Sequence, residues 1–62
     1  MIQNALLVKR HNTLIDEIEK DATEIEYHSK LGNSAWADVL RQRVKSKLTE
    51  VESIRRELGN PT

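Results

Sequence analysis

The stretch Leu31-Gly32-Asn33-Ser34 decides the fold. It stands near the midpoint of a 62-residue chain, between long runs rich in Leu, Ile, Glu, Lys, Arg, Ala and Gln, residues that favour helix. Glycine just past a helix end supplies the left-handed residue that closes the last turn. Asn or Ser then accepts a bond from the free N–H groups of the next helix. The four residues therefore read as the stop of one helix and the start of another. A second stop, Gly59-Asn60-Pro61, lies at the C-terminal end. The expected fold class is all-α: an antiparallel two-helix hairpin forming one domain over 1–62. Its helices should cover about 2–31 and about 34–58, with a turn at 32–34 and a short tail at 59–62.

Apolar spacing supports this. At 3.6 residues per turn, Leu7, Val8, Leu14, Ile15, Ile18, Ala22 and Ile25 share one stripe of the first helix. Trp36, Ala37, Leu40, Val44, Leu48, Val51, Ile54 and Leu58 share one stripe of the second. Steps of three and four are the mark of a helical seam, and no segment sustains the alternation of a strand. His11-Asn12-Thr13 interrupts the first run, and Thr13 with Asp16 has the spacing of a capping box. Because the stripe stays in phase from Leu7 to Leu14, a continuous first helix is expected.

Composition excludes several functions. There is no cysteine, hence no disulfide framework, thiol nucleophile or Cys-ligated zinc. The longest apolar run, Ala5 to Val8, is far below the ~20 residues of a membrane span. Met1 is not followed by a signal-peptide pattern, which points to a cytoplasmic setting. Ten basic residues balance ten acidic ones, which argues against a protein that coats nucleic acid. No Gly-rich phosphate loop or Ser-His-acid grouping stands out, so no enzyme is expected and no cofactor is implied. Glu24 and His28 lie one turn apart, but two such groups read as a solvated pair and no metal site is assigned.

The zero net charge hides a pattern. Asp16, Glu17, Glu19, Asp21, Glu24 and Glu26 crowd the first helix, whereas Arg41, Arg43, Lys45 and Lys47 crowd the second. Folding back at Gly32 brings Glu24 level with Arg41, Glu19 with Ser46 and Asp21 with Val44. Each exposed pair contributes only about 0.5 kcal/mol, so the pattern selects a pairing more than it stabilises one.

Two wide apolar stripes are more than a single seam covers, and ~60 residues form a small core. The remedy with fewest parts is a homodimer, two hairpins making a four-helix bundle. Its interface would draw on Leu7, Leu14, Ile15, Ile18, Ile25, Leu40, Val44, Leu48, Val51 and Leu58. Tyr27, Leu31 and Val39 fall off the stripes and Trp36 sits at a stripe edge, all near the turn. They form either a cluster that staples the turn or a patch that binds another protein. At the open end, His11 faces Ile54 and Arg55. With Lys9, Arg10 and Arg56 these residues make either a polar layer that sets register or a weak site for an anion or nucleic acid. The expected role is a small non-enzymatic adaptor or regulator that self-associates and binds a protein through its tip. A nucleic-acid-associated regulator and a purely structural oligomerisation module are the alternatives.

Overall fold

The computed structural model describes residues 2–59 as two helices, α1 (Ile2–Lys30) and α2 (Ser34–Gly59), packed side by side as a hairpin. Side-chain surroundings are described from Asn4 onward. The hairpin measures 47 × 16 × 11 Å. α1 runs without a break through His11-Asn12-Thr13. It ends at Lys30, and α2 reaches Gly59, one residue either side of the expected bounds. Asn60 and Pro61, part of the second stop signal, lie outside the described residues.

The end of α1 is closed by hydrogen bonds that Gly32 foreshadows, whereas the expected side-chain cap from Asn33 or Ser34 is not found among the described residues. Gly32 takes φ of +79°. The Asn33 N–H donates to the His28 carbonyl at 2.9 Å, and the Gly32 N–H donates to that of Ser29 at 3.1 Å. These two bonds are a Schellman cap, which satisfies carbonyls left over at the end of α1. The Asn33 carbonyl then accepts from the Ala37 N–H at 3.1 Å, opening α2. His28 and Lys30 put basic side chains in the last turn of α1, the favourable sign at a helix C-terminus.

The seam is narrower and more regular than the expected stripes. In α2 the residues that are not exposed are Ala37, Leu40, Val44, Lys47, Val51, Ile54 and Leu58. Their spacing is three and four in strict alternation, the 3.5-residue period of a supercoiled pair. In α1 the same alternation runs Leu7, His11, Leu14, Ile18, Asp21, Ile25 and His28, all buried or half-buried. Of the remaining residues with described side chains in α1, only Ile15 and Glu17 are half-buried. Leu14, Val51 and Ile54 form the core, with Leu7, Ile15, Ile18 and Leu58 packed against it.

This moves four residues out of the expected stripe. Val8, Trp36 and Leu48 are 46%, 38% and 44% exposed, and Ala22 is exposed too. Each adjoins or flanks a seam position taken by another residue: Leu48 gives way to Lys47 and Ala22 to Asp21. A wheel drawn at 3.6 residues per turn drifts by about 20° per heptad from the supercoiled seam, enough to swap neighbours over this length.

The left-handed glycine gives a direct test. An added Cβ at Gly32 meets no atom within 4 Å, so its cost is conformational alone. Gly32→Ala should destabilise the hairpin by about 1 kcal/mol, read from the midpoint of chemical denaturation. Unchanged stability would mean that the cap does not hold the turn.

Candidate functional site

Three features qualify as sites: a polar layer inside the seam, the open end, and the tip beside the turn. The polar layer has Lys47 at its centre. Its Nζ donates to Asp21 Oδ2 at 2.7 Å and lies 3.5 Å from Glu17 Oε1. Asp21 and Lys47 side chains are 14% and 24% exposed, among the least exposed charges in the seam. The bond to Asp21, followed by that carboxylate's charge and by Glu17, raises the Lys47 pKa above its usual 10.5. Acid on α1 therefore does face base on α2, but through pairs other than the level ones expected. Arg41 does not bond Glu24. It pairs with Asp38 on its own helix at 2.7 Å and donates to the Ser29 hydroxyl at 3.2 Å.

At the open end the expected cluster of positive charge is partly neutralised. The Arg10 guanidinium grips Glu50 with two hydrogen bonds, 2.8 and 3.2 Å long. That bond holds the Glu50 carboxyl below its usual value of 4.5. Arg55 Nε donates to His11 Nε2 at 3.0 Å, and His11 Nδ1 lies 3.2 Å from Asn12 Oδ1. A single tautomer satisfies both contacts: Nε2 carries the lone pair and Nδ1 carries the proton. His11 and Arg55 are thus brought together as the sequence suggested, in a bond that ties α1 to α2. Lys9 and Arg56 occupy the outermost heptad positions of their helices. There they point away from the seam on opposite edges and do not converge with Arg10.

The tip gathers the remaining candidates. Tyr27, Leu31 and Val39 are 60%, 64% and 43% exposed, and Trp36 is 38% exposed. His28, which was missed as a member, links them. Its ring meets Tyr27 edge-on at 5.2 Å and Trp36 edge-on at 6.3 Å. The Arg43 guanidinium lies 5.4 Å from the Trp36 ring centre. Edge-to-face and cation–π contacts of this kind contribute about 0.5–1.5 kcal/mol each and fix the ring orientation. His28 sits in the seam, half-buried, near the level of the buried Ala37. Its Nδ1 is a buried side-chain atom with no hydrogen-bond partner among the described residues. His28 turns to Trp36 and not to Glu24, which is exposed. The signal that could have found it was the alternation of three and four, which lands on 28 after 21 and 25.

The ten residues expected at an oligomer interface divide sharply. Leu14, Leu40 and Val51 are 1% exposed within the hairpin itself, so its own seam consumes them. Leu7, Ile15, Ile18, Ile25, Val44 and Leu58 are half-buried, and Leu48 is exposed. No helix among the described residues is long and apolar enough to cross a membrane.

Two tests follow from the polar network. The depressed Glu50 pKa means that its pair with Arg10 adds stability above pH 4.5, lost as pH falls through the lower folded value. The raised Lys47 pKa adds stability below pH 10.5 that is lost as pH rises through the higher folded value. Glu50→Gln should flatten the acid limb of a thermal-stability profile and leave the alkaline limb in place. Separately, Asp21→Leu should destabilise by about 1 kcal/mol, because Lys47 stays in the seam without its closest partner. Asp21→Leu with Lys47→Leu should recover that loss but broaden the NMR spectrum, as alternative pairings become accessible. A sharp single-state spectrum for the double variant would show that the charged pair does not set the register.

No protein-family model, curated protein or solved structure matches this chain.

Proposed function

We propose that this chain is a small non-enzymatic adaptor or regulator that self-associates and docks another protein on the tip of its hairpin. The observation that carries the reading is the tip itself. Tyr27, Leu31, Trp36 and Val39 are all exposed on one side of the molecule, although only Trp36 adjoins the seam. Tyr and Trp are the residue types that most often anchor interfaces, since each offers a large apolar body with a polar handle. The rings of His28 and Trp36 are already oriented by their contacts, so little side-chain freedom is left to lose on binding.

The local-cluster alternative explains the contacts of His28 with Tyr27 and Trp36 but not the exposure of Tyr27 and Leu31, both about 60%. The nucleic-acid alternative is weaker than the charge count suggested. Arg10 is engaged by Glu50 and Arg55 by His11. Lys9 and Arg56 diverge.

The test uses the full chain, immobilised and exposed to an extract of its host. A specifically captured protein should be lost on Trp36→Ala and on Val39→Asp while far-ultraviolet helicity stays unchanged. Trp36→Ala should weaken capture at least tenfold, the scale of an aromatic hot spot. Capture that survives both substitutions would exclude the tip. Unfolding of Trp36→Ala with Val39→Asp fully active would reduce Trp36 to a structural residue.

A further inference from the structure

The heptad seam gives the hairpin two unlike broad faces. On the face carrying Trp36, the positions flanking the seam hold Arg10, Glu17, Arg43 and Glu50, and apolar side chains gather mainly at the tip. The opposite face is apolar along its middle. Val8, Ile15 and Ala22 follow one another at seven-residue intervals on α1, and Leu48 lies beside them on α2. The bonds from Arg55 to His11 and from Arg41 to Ser29 mark the same face, toward its two ends.

We propose that this face binds a second copy of the chain with the twofold axis running along the helices. α1 of one hairpin then lies on α2 of the other, and both tips point the same way. The proposal rests on the self-association reading above and adds to it the face and the orientation.

Three observations select this occupant. The first is size. A face of 47 by 16 Å offers about 750 Å² in projection, close to the ~800 Å² per partner of a stable interface. The second is charge. Along this face α1 presents Glu19 and Glu26, while α2 presents Arg41, Lys45 and Arg55 against Asp38 and Glu52. Glu26 and Arg41 already have ion partners within the hairpin, but Glu19 and Lys45 have none among the described residues. Setting α1 on α2 of the second copy brings Glu19 level with Lys45, twice per dimer. It also brings Glu26 level with Asp38, whose charges Lys30 and Arg41 already balance within each hairpin. The other face-to-face twofold arrangement sets α1 on α1 and places the acidic line against itself, which like-charge repulsion disfavours. The third is compatibility. Tyr27, Leu31, Trp36 and Val39 lie on the far side, so this dimer leaves both tip patches uncovered, at the same end of the bundle and on its two opposite outer faces.

The experiment combines sedimentation equilibrium with distance measurement between spin labels. The chain has no cysteine, so Ser34→Cys supplies one label per copy at the tip. The expected result is a dimer whose labels are within about 25 Å, two to three helix diameters. The opposite orientation separates them by roughly the 47 Å length of the hairpin. Leu48→Glu should give a folded monomer. Glu19→Lys should weaken the dimer about tenfold, and adding Lys45→Glu should restore it. A wild-type chain that is monomeric throughout the concentration range overturns both the self-association reading and this proposal. A dimer with distant labels, or one that survives Leu48→Glu, overturns this face and orientation and leaves self-association standing.

Discussion

The ion pair between Asp21 and Lys47 is the constraint around which the rest of the hairpin is arranged. Both residues occupy seam positions where apolar residues are the norm, and they split the seam into two apolar halves. Toward the open end lie Leu14, Val51 and Ile54; toward the tip lie Ala37 and Leu40. Between unlinked helices a seam of aliphatics tolerates sliding by a heptad with little loss, because one Leu replaces another. Here the short turn at Gly32 already limits sliding, and the ion pair penalises any shift that remains. A slide here would put Lys47 among apolar side chains, where a charge without a partner is costly. The pair thus exchanges some burial for a unique alignment, the best-attested use of polar groups in helical seams.

That alignment places everything else. It brings Arg10 to Glu50 and Arg55 to His11 at the open end. At the tip it brings His28 to Trp36. It also decides which apolar residues are left over. With Lys47 and Asp21 facing the partner helix, their neighbours Leu48 and Ala22 are turned outward on one face, in line with Val8. The exposed aliphatics and the charged seam are two sides of one choice of register.

Much of this was legible in the chain. Gly32 announced the turn because few other residues take its backbone conformation, and the fold-back brought His11 to the level of Ile54 and Arg55. The exposure of Tyr27, Leu31 and Val39 followed from their distance off the apolar stripe. What could not be read was the choice between neighbouring positions. Leu48 outranks Lys47 on any hydrophobicity scale, and Ala22 outranks Asp21. The 3.5-residue period of the seam and the mutual satisfaction of Asp21 and Lys47 together reverse that order, and the latter involves two residues 26 apart in the chain. His28 was hidden for a similar reason. It packs against the ring of Trp36 on the other helix, which its own neighbours in sequence do not disclose.

The antiparallel register also ranks the contacts by the loop each one closes. Every contact between the helices is nested around Gly32, so the loop closed by each contact lengthens steadily from the tip outward. Arg41 and Ser29 are 12 residues apart, Lys47 and Asp21 are 26, Arg10 and Glu50 are 40, and His11 and Arg55 are 44. Closing the shortest loop costs the least chain entropy, and each closed layer shortens the loop left for the next. On chain entropy alone the hairpin therefore closes most cheaply from the turn toward its open end, and the aromatic surface of the tip forms across the shortest loops.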